Sequence, residues 1–145
     1  MAQIIAILKE LPLGKSRIKI GLALRQAWLL NGMLYNSETW HNIKPEDSKE
    51  FEIVYQYLLR SLLKAHSKVP VEQLYLETAC LPIPYVISAR RMLYLKTILD
   101  RHDNELTKRV FSAQAKYNVP GDWYQIIKSD FELMCIPLDE QNIQN

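Results

Sequence analysis

Apolar residues in this chain recur every three or four positions, and its seven prolines fall between those periodic runs. That spacing constrains the fold more than any other feature. A repeat near 3.6 residues builds helices with one apolar face, and proline ends them. No segment alternates apolar and polar residues, and no hairpin dipeptide lies between β-branched runs, so strands have no sequence support. The expected architecture is all-α, a compact bundle of about six or seven helices. Residues 1–136 are expected to form a single helical domain, and residues 137–145 a polar tail.

A chain of 145 residues can bury a core of its own. Its 48% hydrophobic and 23% charged residues are those of a globular protein. The longest apolar run, around Ala27–Leu30, is far short of the ~20 residues that cross a bilayer. No membrane association and no signal peptide are expected. Two distant cysteines, Cys80 and Cys135, predict reduced thiols in an intracellular protein, nuclear or cytoplasmic.

The expected helices run as follows. A short one covers Ala2–Leu11, and a long one Lys15–Leu34, with Ala23, Ala27, Leu30 and Leu34 in register. Leu24, Trp28 and Leu29 widen its apolar arc, which predicts a central, nearly all-buried helix. Gly21 and Gly32, three turns apart on it, predict close approach of a neighbour. A third helix starts at Pro45, with Phe51, Val54, Leu58, Leu62 and Ala65 as its core stripe. A fourth spans Val71–Thr78. Pro82 and Pro84 then break the chain, and a fifth runs Tyr85–Arg101. The sixth, Glu105–Tyr117, carries Leu106, Val110, Ala113 and Tyr117 in register. Asp122 followed by Gln125 predicts a capping box that opens a seventh helix, Trp123–Met134.

Two stretches carry more than periodicity. Leu34-Tyr35-Asn36-Ser37-Glu38-Thr39-Trp40 ends the long helix, and Ala89-Arg90-Arg91-Met92-Leu93-Tyr94-Leu95 runs on to Ile98-Leu99-Asp100-Arg101. In this order the pair resembles the end of the polymerase region of non-LTR (LINE-type) retrotransposon reverse transcriptases. Asn36 stands where that pattern usually has glycine. The resemblance implies the thumb and post-thumb helices of such an enzyme, roughly Ile4 to Ile136. It implies RNA-directed DNA synthesis with Mg²⁺ by the intact parent, with the palm and fingers as neighbours and an RNA/DNA template–primer as partner.

Catalysis itself is not expected from this chain. Nucleotidyl transfer needs carboxylates that hold two metal ions, and no Asp-Asp pair occurs. No catalytic residue, metal ligand or cofactor is assigned. Asp100-Arg101-His102-Asp103 reads as a helix junction, and His41, His66 and His102 have no ligand spacing. What remains is cationic. Residues 1–44 carry six basic and two acidic side chains, against twelve and fourteen in residues 45–145. Lys15, Arg17 and Lys19 alternate at the start of the long helix, where flexible cations could grip phosphate. Arg60 and Lys64 share one face of the third helix. Arg90, Tyr94 and Arg101 lie on one stripe of the fifth, an aromatic ring between guanidiniums. These eight are the candidate nucleic-acid contacts. Glu38 is expected to pair with an arginine, Arg60 or Arg90. The alternative reading is a domesticated helical protein-interaction module that binds no nucleic acid.

Overall fold

The structure is a computed structural model that describes residues 3, 6, 7, 10, 14–40, 43 and 45–137. Among the described residues all regular structure is helical, as the periodicity requires. The expected helix over residues 2–11 and the tail over 138–145 lie largely outside the described residues. The chain forms two compact units, Met1–Tyr35 with Lys44–Ile83, and Asn36–Ile43 with Pro84–Asn145. The chain crosses between them three times, and only the crossing at residues 43–44 lies beside a change in composition, the shift in charge balance after residue 44.

In the first unit, α1 covers Lys15–Leu24 and continues without a break through a π-helical segment, Arg25–Leu30, and a last α turn, Asn31–Met33. The Asn31 N–H reaches back to the Gln26 carbonyl, five residues away. Such wide turns are rare in proteins. A π turn adds one residue to the 3.6 repeat and rotates everything after it. The expected face holds in part: Leu29, Leu30 and Leu34 are buried as expected, while Ala23, Ala27 and Trp28, before and within the wide turns, face solvent. A side chain added at Gly32 would meet open space, so no neighbour approaches there.

α1 packs on α2, Pro45–Leu63, and α2 packs on α3, Val71–Thr78. Tyr55, Leu58, Leu59 and Leu62 form the buried stripe of α2, with Leu74 buried on α3. Each such leucine contributes about 1.5–3 kcal/mol by leaving water. Val54, expected in the stripe, is partly exposed, and Tyr55 takes its place.

Both helices end in a left-handed residue that is not glycine. After α2 that residue is Lys64, and after α3 it is Ala79, with φ near 50° in both. Ala79 N–H bonds to Leu76 and Cys80 N–H to Tyr75, which closes the last turn. A Cβ in this conformation costs roughly 1–2 kcal/mol. Ala79→Gly is expected to stabilise the chain by about 0.5–1 kcal/mol in urea unfolding, after the entropy of glycine is subtracted. A destabilised variant would contradict the assignment of this cap.

In the second unit, α4 spans Ile83–Leu99, α5 Leu106–Tyr117 and α6 Trp123–Leu133. α4 begins two residues before the sequence expectation, so that Pro84 lies in its first turn. No intrahelical partner is needed for an N–H there, and proline fits. Ile83 itself still belongs to the first unit, where its N–H donates to the Glu52 carboxylate of α2 at 2.9 Å. Lys108 closes the other end, donating to the carbonyls of Leu99 and Arg101. Asp122 caps α6 by accepting from Gln125 N–H at 3.0 Å. The reciprocal half of the box is missing, because the Gln125 amide turns to Asn118.

The core of this unit is Leu95, Ile98, Phe111, Ala115, Tyr124 and Ile127. On α5 this reverses the expected register. Phe111 and Ala115 point inward, whereas Leu106, Val110 and Tyr117 are 75%, 48% and 72% exposed. Cys80 is buried and Cys135 exposed, both as free thiols. No helix among the described residues is long and apolar enough to cross a membrane.

Candidate functional site

The turn after the long helix organises the second unit. Asn36 is left-handed, φ 57°, which explains why glycine or asparagine suits this position. The chain then makes one 3₁₀ turn, Ser37–Thr39, and Thr39 returns two hydrogen bonds to the Asn36 carbonyl. Two helices hold this turn. The Trp123 indole of α6 donates to the Glu38 carbonyl at 2.9 Å, and Arg91 of α4 donates to the Trp40 carbonyl at 3.4 Å.

Arg91 also forks onto Asp130. Its Nη2 meets Oδ1 at 2.7 Å, and its Nε meets Oδ2. The Ser88 hydroxyl donates to the same Oδ1 at 2.6 Å. All three side chains are buried, Asp130 to 3% exposure. A two-pronged arginine–carboxylate bond of this kind is strong and fixes orientation, and inside a protein it must stay paired. Both carboxylate oxygens are held by Arg91, Ser88 already donates to one of them, and no histidine among the described residues joins them. The cluster is a clamp that ties α4, α6 and the turn together.

Glu38 takes part through its backbone carbonyl, and the buried arginine–carboxylate pair of this unit is Arg91–Asp130 instead. Glu38→Gln keeps that carbonyl, so its melting temperature should stay within about 3 °C of the parent, the size of a surface substitution. A larger drop would show that the carboxylate itself holds the turn.

Beside the clamp lies an open groove of about 360 Å³. Tyr94 and Ile98 of α4, Leu106, Val110 and Phe111 of α5, and Trp123 of α6 line it. Tyr94 and Phe111 each meet the Trp123 ring edge-on, with centroids 5.7 Å apart. Such pairs add about 0.5–1.5 kcal/mol beyond burial and make a rigid wall. Its polar lining, Thr39, Thr107 and Gln114, is neutral.

The first unit holds a second polar cluster. Arg25, on the π segment, donates to the Tyr55 hydroxyl at 2.9 Å and also to Cys80 Sγ. Its guanidinium lies 5.7 Å from the Tyr55 ring centroid. Burial drives the Tyr55 phenol above its ordinary value, against the pull of the Arg25 charge.

The eight sequence-nominated residues have divergent placements. Arg17 is 2% exposed and donates to the carbonyls of Leu62 and Ser61, at 3.1 and 2.9 Å. It completes the C-terminus of α2 from inside the unit, and reaching a phosphate would break those bonds. The side chain of Lys15 lies outside the described residues. Lys19 is exposed, as is Lys64 at the left-handed end of α2. Arg60 is half-buried and donates to the His66 carbonyl. On α4, Arg90 is half-buried, Tyr94 lines the groove and Arg101 pairs with Glu105 four residues on. The junction before α5 is held by an ion pair, in which the hydrogen-bonded Lys108 ammonium keeps the Asp103 carboxyl below its usual range.

No group of three histidine, cysteine or acidic residues among the described residues could hold a metal ion. No protein-family model matches the chain, and no curated protein or solved structure matches it.

Proposed function

We propose that this chain is a non-catalytic helical portion of a LINE-type reverse transcriptase, a framework that helps hold the template–primer beside the polymerase centre. One observation supports this reading above the others. The two stretches that carry the resemblance converge on each other: Arg91 of the second grips the carbonyl of Trp40 in the first. Asn36 also has the backbone conformation that its glycine counterpart would favour.

In this reading the clamp residues keep the fold, and the exposed Lys19, Lys64 and Arg101, with the half-buried Arg90, meet phosphate. Lys19 and Lys64 serve in one unit, and Arg90 and Arg101 in the other, with Tyr94 beside them. Arg17 is not among them. Nucleotidyl transfer and its Mg²⁺ belong to the palm of the intact enzyme.

The test is a fourfold variant, Lys19→Gln, Lys64→Gln, Arg90→Gln and Arg101→Gln, titrated with a primed RNA–DNA hybrid. Loss of two to four phosphate contacts should weaken binding by about tenfold or more at low salt. Unchanged affinity would remove the nucleic-acid role and leave a helical interaction module.

A further inference from the structure

We propose that the outward face of α5 docks an acidic amphipathic helix. The proposal goes beyond the template–primer reading and does not depend on it.

The face is defined by Leu106, Val110, Ala113 and Tyr117, which fall within one narrow arc at i, i+4, i+7 and i+11. All four are exposed. At 1.5 Å per residue the stripe runs about 16 Å, three helical turns. Single exposed apolar residues need no explanation, but a continuous stripe marks a contact surface. Leu106 and Val110 also form the outer wall of the groove, so stripe and groove are continuous. The groove supplies a recess with a rigid aromatic floor, and the stripe supplies a straight ridge beside it. That is the shape into which an amphipathic helix lays anchors spaced three and four residues apart.

Charge selects the partner. Arg109 and Lys116, seven residues apart, follow one edge of the stripe, and both are exposed. Neither has a carboxylate partner among the described residues. Lys116 lies only over the Tyr117 ring, 5.9 Å from its centroid. The acidic groups nearby are already taken, Glu105 by Arg101 and Asp103 by Lys108. The rim is therefore basic, and a complementary helix carries glutamates or aspartates beside its leucines. Single-stranded nucleic acid suits the face less well. Tyr117, at one end and beneath Lys116, is the one ring of the stripe, Leu106, Val110 and Ala113 offer none for successive bases, and the groove's aromatic rings already pack edge-on against one another.

The experiment uses two fluorescein-labelled 18-residue helical peptides with identical leucines at i, i+4 and i+7. One carries glutamates beside the leucines and the other lysines. Fluorescence anisotropy should show the acidic peptide binding at least about tenfold tighter than the basic one. Arg109→Glu with Lys116→Glu should reverse that preference. Leu106→Asp with Val110→Asp should abolish binding, while the helical circular dichroism and the affinity for the RNA–DNA hybrid stay unchanged. Equal affinity for both peptides, no binding of either, or binding that survives Leu106→Asp with Val110→Asp would overturn the proposal. Loss of hybrid affinity in that double variant would make this a nucleic-acid face instead, and would equally overturn it.

Discussion

Replacing Asp130 by alanine is expected to lower the unfolding free energy by about 3–5 kcal/mol, the cost of leaving a buried arginine without its carboxylate. The size follows from three simultaneous losses. Arg91 loses both prongs of its fork, Ser88 loses its acceptor, and the Trp40 carbonyl keeps a donor whose position is no longer fixed. Domains are stable by only about 5–15 kcal/mol in total, so the variant would sit near the edge of folding. Urea denaturation gives the number. Arg91→Met combined with Asp130→Leu offers a control, because exchanging both charges for apolar groups removes the stranded ion. The double variant should recover most of the loss. An Asp130→Ala variant that loses less than about 1 kcal/mol would mean that solvent reaches the pair and that the clamp does not exist.

Arg17→Ala should lose about 2–4 kcal/mol, the second largest effect. The carbonyls of Ser61 and Leu62 lie in the last turn of α2, where Ser61 accepts only a long bond from Lys64 N–H at 3.4 Å, and Arg17 donates to both. Leaving a buried acceptor unpaired costs about 1–3 kcal/mol. Arg17→Lys should recover only part, since an ammonium lacks the planar fork that spans two carbonyls. A phosphate-gripping Arg17 would behave in the opposite way: alanine there would leave stability unchanged and weaken hybrid binding. Thermal unfolding of this one variant separates the two roles.

The helical class was legible because the periodicity recurs in every segment. The clamp was legible in principle. Arg91 falls in register with Ile87, Leu95 and Ile98, all buried, and Asp130 interrupts the apolar face of α6 three residues after Ile127. A charge on each of two core faces is the signature of a buried pair, while Arg90 and Arg101 lie off the core face of the same helix. On α5, apolar residues occupy two arcs. The larger set, Leu106 to Tyr117, suggested the core, but the rings of Trp123 and Tyr124 meet Phe111 on the other arc. That choice depends on contacts between helices, which one helix's spacing cannot express. The π segment had no sequence signal at all. Its wide turns show only in the backbone hydrogen bonds, such as Asn31 N–H to the Gln26 carbonyl.

The central claim is that the Arg91–Asp130 clamp holds the fold while Lys19, Lys64, Arg90 and Arg101 hold a template–primer. The salt dependence of hybrid binding tests it most directly. A primed RNA–DNA hybrid titrated into the parent chain should lose at least about tenfold in affinity between 50 and 200 mM salt, as two or more phosphate contacts require. No binding at about 50 mM, or an affinity that does not change with salt, would contradict it.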